Sequence, residues 1–219
     1  MRARGAALRG AVTEVLRAGG LAFALLCGHG ACDSQAGPGS AVTLAVAADD
    51  PFQGEPLAEF ELRSHTGRAV RKADLLGQPC VLDFIFTTCT GPCPRVSGQM
   101  RSVQALLRGV PARLVSFSVD PENDTLEVLS AYAARFEADA ERWWFLTGPE
   151  QQIDGVLRSL WLARAKDAGA ALGMQVTHST RLIVLDARGV VRGHYDGETD
   201  EGARAAAARA QWLAENPGR

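Results

Sequence analysis

Two cysteines, Cys89 and Cys93, stand four positions apart in the run Thr87-Thr88-Cys89-Thr90-Gly91-Pro92-Cys93-Pro94, directly after the apolar stretch Val81 to Phe86. A helix turns once in about 3.6 residues, so at this spacing both sulfurs can face one side of a helix start. Thiols there ionise more readily, because the helix dipole favours negative charge at its N-terminus. Such a pair is either a redox couple or a clamp for a soft metal. Dithiol oxidoreductases of the thioredoxin type carry two residues between their cysteines, and this chain carries three. The extra residue changes the loop without forbidding a disulfide, which needs only Cβ atoms about 3.5–4.5 Å apart.

The surrounding pattern is that of an alternating α/β chain. Phe60 to Arg63 and Ala69-Val70, joined through Thr66-Gly67, predict a short hairpin, and Lys72 to Leu76 a helical turn ended by Gly77. Val81 to Phe86 is apolar apart from one acid, as expected of a strand covered on both faces. Pro94 suits the start of a helix that continues through Val96, Met100, Val103, Leu106 and Leu107. Leu114 to Val119 is the next strand. Asp124 and Glu127 have the spacing of an N-cap and its reciprocal partner, ahead of a helix bearing Leu126, Leu129, Tyr132, Ala133 and Phe136. A strand over Trp143 to Leu146 and a helix from Glu150 to Ala163 follow. Leu182 to Leu185 and Val190-Val191 flank a Gly-containing turn, and an Ala-rich helix from Asp200 to Leu213 ends the pattern. This order predicts an α/β thioredoxin-like sandwich: a central mixed sheet flanked by helices, with an N-terminal hairpin extension. The thiols then lie outside the carboxyl end of a central strand.

Of the four histidines, His29 falls in the N-terminal leader, His65 in a turn expected to be solvated, and His194 late in the last strand beside Tyr195. His178 differs, standing in Val176-Thr177-His178-Ser179-Thr180 just before the strand Leu182 to Leu185. In the expected fold that junction faces the cysteine loop, where an imidazole is either a metal ligand or a hydrogen-bonded structural group. Two thiolates and one imidazole suit copper: sulfur selects Cu(I), and nitrogen helps to hold Cu(II). A tetrahedral zinc site ordinarily requires a fourth ligand, and none is evident.

Length and composition fit one domain with appendages. Apolar residues make up 47% and charged residues 22% of the 219, enough for a real core. A formal charge of −2 with no Lys/Arg cluster argues against nucleic acid as a partner. Arg2, Arg4, Arg9 and Arg17 precede the apolar run Leu21 to Leu26, which is shorter than the ~20 residues of a membrane span. Residues 1–32 therefore read as a signal peptide or lipoprotein leader. Gly30-Ala31 before Cys32 suits a lipoprotein signal peptidase, although His29 stands where an aliphatic residue is usual. The expected localisation is export to the periplasmic side of the membrane, either lipid-anchored through Cys32 or simply released with Cys27 and Cys32 removed. Residues 33–54 read as a flexible tether, 55–214 as the folded domain and 215–219 as a tail. Cys80, Cys89 and Cys93 remain for the folded part, with Cys80 expected to be a buried small hydrophobe.

Taken together, Cys89-x-x-x-Cys93-Pro94, Asp120-Pro121-Glu122-Asn123-Asp124-Thr125 and His178-Ser179-Thr180, in that order, resemble the Sco/SenC family of thioredoxin-fold copper chaperones over residues 55 to 214. The resemblance implies copper held by Cys89, Cys93 and His178, with Asp120 near the metal loop. It implies a chaperone that delivers copper to the binuclear copper site of cytochrome c oxidase, or reduces the cysteines there. The implied partners are that oxidase subunit or another exported copper protein, together with a thiol reductant. The chain departs from the family pattern at Thr90, where Pro commonly follows the first cysteine, and over the Ala/Gly-rich Ala163 to Gln175, a weak match to the usual aromatic-containing insertion.

Other chemistries compete. A thiol–disulfide oxidoreductase would use Cys89 and Cys93 as a redox pair and would not need His178. Peroxidase chemistry wants Thr-x-x-Cys, but Thr87 lies only two positions before Cys89. A purely structural disulfide would close too small a loop to stabilise much.

Overall fold

The computed structural model describes residues 54–166, 169 and 176–217. The leader with Cys27, His29 and Cys32, all but the last residue of the tether, and much of the segment 163–175 lie outside the described residues.

A hairpin opens the domain: β1 (Glu61–Ser64) pairs antiparallel with β2 (Ala69–Arg71), and a 3₁₀ turn follows at Lys72–Leu75. The chain then passes through β3 (Cys80–Ile85), α1 (Cys93–Leu106) and β4 (Arg113–Ser118), a parallel β-α-β unit. Next come α2 (Leu126–Arg135), β5 (Trp143–Thr147) and α3 (Glu150–Ser159). A two-stranded ribbon of β6 (Ala165–Lys166) and β7 (Val176–Thr177) leads into the hairpin β8 (Arg181–Leu185) and β9 (Val191–Asp196), and α4 (Asp200–Glu215) ends the fold. The main sheet has seven strands in the order β2-β1-β5-β4-β3-β8-β9, with β3, β4 and β5 parallel and the flanking strands antiparallel. This is the thioredoxin-like sandwich expected from the sequence.

Every residue of β3 is buried, as its apolar run requires. Helices α1 and α4 pack against each other, α4 also covers β8 and β9, and α2 packs on β5. Phe84, Phe117, Trp143 and Phe145 are fully enclosed between these layers. Each such side chain contributes about 1.5–3 kcal/mol by leaving water.

Three local expectations are corrected. The N-cap of α2 is Thr125, whose hydroxyl accepts from the Val128 N–H, and Asp124 is drawn inward instead. Helix α3 stops at Ser159 rather than Ala163, because Trp161 takes φ 55° and turns the chain. His65 is buried rather than solvated: its Nδ1 accepts from the Phe145 N–H at 3.2 Å, and its ring meets the Phe145 ring edge-on.

Candidate metal centre

Two chain segments meet beyond the carboxyl end of β3. The first is the loop that leaves β3 at Phe86 and returns as α1. Cys89 N–H donates to the Phe86 carbonyl at 3.3 Å, and the Pro92 carbonyl accepts from Arg95 N–H and Val96 N–H, starting the helix. Pro92 has αR geometry and Pro94 lies in the first turn, where a missing N–H costs nothing. Cys93 is the first helical residue and fully buried, while Cys89 retains 8% exposure. Both are free thiols.

The second segment is the entry to β8, which pairs antiparallel with β3 and so carries His178 back to the cysteine loop. Gly197 guards this entry. Its N–H donates to the Thr180 carbonyl at 3.1 Å, and any Cβ there would stand 2.2 Å from that oxygen. His178 packs its ring edge-on against Phe86, with centroids 5.5 Å apart.

Imidazole and thiol are in contact: His178 Nε2 lies 3.2 Å from Cys93 Sγ. His178 Nδ1 lies 2.8 Å from the Ser179 carbonyl, which can only accept, so Nδ1 carries the hydrogen. The lone pair of Nε2 therefore faces the thiol. Burial lowers the His178 pKa against the smaller opposing effect of the Ser179 carbonyl, which keeps the ring neutral at neutral pH. Cys93 is pushed up, chiefly by burial and then by the neighbouring Cys89 thiol. A helix start alone predicts an acidified thiol, but at Cys93 enclosure has the largest effect, against a smaller lowering by the Phe86 backbone. Among the described residues no three His, Cys, Asp or Glu side chains are already gathered in an arrangement that could hold a metal ion. Cys93 and His178 meet, and Cys89 stands nearby on the same loop.

Asp120 is buried, with its carboxylate accepting from Asn123 Nδ2 at 2.8 Å and its carbonyl from Asn123 N–H and Asp124 N–H. Its hydrogen bonds stay within its own turn and with Ser118, whose hydroxyl accepts from Asp120 N–H. The carboxylate that reaches the cysteine loop belongs to Asp124. It accepts from Thr87 N–H at 3.1 Å, from the Thr87 hydroxyl at 2.5 Å and from the Ser118 hydroxyl at 2.6 Å. Burial raises the Asp124 pKa, and the Ser118 and Thr87 hydrogen bonds oppose that shift. Sequence reasoning took Asp124 for a helix cap. The signal that could have found it is the neighbouring Thr125, which is also a good cap and leaves the acid free to turn inward.

Beneath the site, β3 carries a second buried acid. Asp83 Oδ1 accepts from the Ser116 hydroxyl at 2.5 Å, Trp143 Nε1–H donates to the same Ser116 oxygen at 2.9 Å, and Asp83 Oδ2 has no partner. Burial lifts this carboxyl to about 7.

Comparison with known proteins places this arrangement in a family. The SCO1/SenC family profile matches residues 48–214. The SCO1 protein homolog of Bacillus subtilis (strain 168) is 32% identical over 152 residues, which are 68% of this chain and 77% of that protein. The mitochondrial SCO2 homolog of Bos taurus is also 32% identical, over 63% of this chain but only 52% of its own length. Among solved structures, a SCO1/SenC family lipoprotein from Bacillus anthracis str. Ames superposes with a TM-score of 0.68 at 28% identity, covering 76% of this chain and 98% of that one. BsSco, described as a member of the Sco family of cytochrome c oxidase assembly proteins with a disulfide switch, gives 0.65 at 29% identity over 76% and 97%. Arabidopsis thaliana ScoI, solved with copper bound, gives 0.58 at 24% identity over 70% and 98%, a likeness of fold. The extent of the profile match and the Bacillus subtilis relative establish that this chain belongs to the SCO1/SenC family.

Proposed function

We propose that this chain is a copper metallochaperone, with Cys89, Cys93 and His178 as the ligands of its cargo and cytochrome c oxidase assembly as the process it serves. The observation that carries this reading is the contact between His178 Nε2 and Cys93 Sγ at 3.2 Å, with Nδ1–H committed to the Ser179 carbonyl. A metal-binding histidine commonly donates its second ring N–H to such an acceptor, which fixes the tautomer that presents a lone pair to the metal. Family membership and the copper-bound fold relatives support the same cargo. Copper capture would displace the protons of the two thiols, with Cys89 supplying the second sulfur beside the Cys93–His178 pair. Transfer proceeds by exchange of these ligands for the acceptor's own.

A second reading is favoured by the neighbouring positions of the two thiols on one loop and by the slight exposure of Cys89 alone. Cys89 would attack an acceptor disulfide and Cys93 would resolve the mixed disulfide. Two acceptor thiols form as a Cys89–Cys93 disulfide closes, and a thiol reductant then restores the pair. The disulfide switch described for BsSco supports this reading. The same proposal takes residues 1–32 as an export leader, 33–54 as a tether, 55–214 as the copper-binding domain and 215–219 as a tail. It places the domain on the periplasmic side of the membrane, anchored by lipid on Cys32, in keeping with the lipoprotein relative. Among the described residues no helix is long and apolar enough to cross a membrane.

The test loads the full chain with Cu(I) under reducing conditions and measures stoichiometry and disulfide exchange for wild type, Cys89→Ser, Cys93→Ser and His178→Ala. One copper per wild-type chain, lost on removal of either sulfur and weakened without the imidazole, is the expected result. Copper retention unchanged in Cys93→Ser and His178→Ala overturns the chaperone reading, and intact exchange then leaves the redox reading standing.

A further inference from the structure

We propose that Arg164 is the positioning residue for the His178 imidazole, an inference that rests on the copper reading above. Arg164 stands just before β6, fourteen positions ahead of His178, and its side chain is 6% exposed. All three guanidinium nitrogens are engaged. Nε–H donates to Asp154 Oδ1 of α3 at 2.8 Å, Nη2–H to Glu150 Oε1 of α3, and Nη1–H to the Val119 carbonyl at 2.8 Å. Val119 directly follows β4, and its N–H donates to the Ile85 carbonyl at 2.8 Å, at the end of β3 where the cysteine loop begins. One buried fork therefore ties α3 to the floor of the site.

The ribbon carries that fixed point to the histidine. Ala165, the residue after Arg164, pairs with Thr177, the residue before His178, and Lys166 pairs with Val176. Lys166 adds ion pairs to Glu150 at 2.9 Å and Glu122 at 3.5 Å. His178 is thus held from both sides: downstream by the Gly197–Thr180 contact and upstream by a two-residue ladder anchored on Arg164. A ribbon this short cannot hold its own place, since isolated two-stranded hairpins are marginal in water. Its placement comes from what its first strand is fastened to. Lysine cannot replace the fork, because a single ammonium does not span three acceptors in fixed directions.

A residue that merely stabilised the fold would weaken copper binding whether or not His178 were present. A residue acting through His178 loses its effect when the imidazole is gone. The experiment is a double-mutant cycle on the full chain with wild type, Arg164→Met, His178→Ala and the double variant, each competed for Cu(I) against a colorimetric chelator. Arg164→Met is expected to weaken copper retention about tenfold in the presence of His178, the scale of outer ligand-orienting contacts, and by less than about twofold in its absence. Equal losses in both backgrounds, or no loss, overturn the proposal. Arg164→Lys repeats the cycle should the Met variant fold poorly, with a loss of the same sign expected.

A second readout needs no copper: the ¹⁵N imidazole spectrum of His178 in the reduced, metal-free chain. Wild type is expected to show the Nδ1–H tautomer alone, and Arg164→Met an average of both tautomers. If the wild-type chain takes up no copper, the chaperone reading fails, and the spectrum alone decides on Arg164. An unchanged spectrum in Arg164→Met then refutes the positioning role.

Discussion

Cys80 and Cys93 lie at opposite ends of the same strand, one opening β3 and the other beyond its far end, and both are essentially sealed from solvent at 1% and 0% exposure. Their surroundings differ. Cys80 sits among apolar side chains, and burial pushes its thiol up to about 12 against a small opposing effect of Arg113. Cys93 is likewise pushed up by burial, but a neutral imidazole nitrogen faces its sulfur and a second thiol stands on the same loop. Enclosure makes both thiols poor acids. Only the second has a neighbour with which to share a metal or exchange a disulfide. Burial alone therefore does not mark a cysteine as structural, and the identity of the group opposite its sulfur decides.

The largest expected effect tests this contrast directly. Cys93→Ser should abolish stoichiometric copper uptake, measured by elemental analysis after gel filtration, whereas Cys80→Ser should leave it intact. Loss of copper in the Cys80 variant would break the comparison. Next in size is Asp124→Ala, which leaves the Thr87 N–H, Thr87 hydroxyl and Ser118 hydroxyl without their acceptor. It should cost about 3 kcal/mol in chemical denaturation and weaken copper binding by loosening the cysteine loop. A variant as stable as wild type would show that the loop is held by other contacts.

Asp83 sharpens the comparison through pH. Its folded pKa of about 7 lies above the ordinary carboxylate value, so the folded chain binds this proton more tightly than the unfolded chain does. The stability linked to it is complete below the ordinary carboxylate range and is lost as pH rises through about 7. Wild-type stability should fall between pH 5 and 8 by about 1–3 kcal/mol on this account. Asp83→Asn should flatten that slope in denaturation curves, and an unchanged slope would discard the assignment. The smallest effect is Cys80→Ala, expected to cost about 1 kcal/mol as a small buried group is lost, with no change in copper or disulfide exchange.

Much of the architecture was legible because burial leaves a periodic trace. The continuous apolar run of β3, the hairpin of β8 and β9 and the Ala-rich α4 are all written in residue type. That the His178 junction faces the cysteine loop was legible from residue order once the fold class was in hand, and the contact of His178 with Cys93 agrees. Less so were the features decided by which of two adequate groups wins. Asp124 and Thr125 can each cap a helix, and only packing shows that the acid turns inward. No Gly or Pro announces the end of α3, since Trp161 itself takes the left-handed turn. His65 sits in a polar run, and nothing local reveals that Phe145 covers it. Arg164 was invisible for the same reason: its acceptors lie on α3 and at the end of β4, far from it in sequence.

The separation of 85 residues between the thiol of Cys93 and the imidazole it meets has a consequence for the newborn chain. As synthesis proceeds from the amino end, both sulfurs emerge well before the ring that joins them. Until β8 docks against β3, the pair has no nitrogen partner and is open to stray oxidants and adventitious ions. Competence for cargo is thus acquired late, at the closing of the sheet.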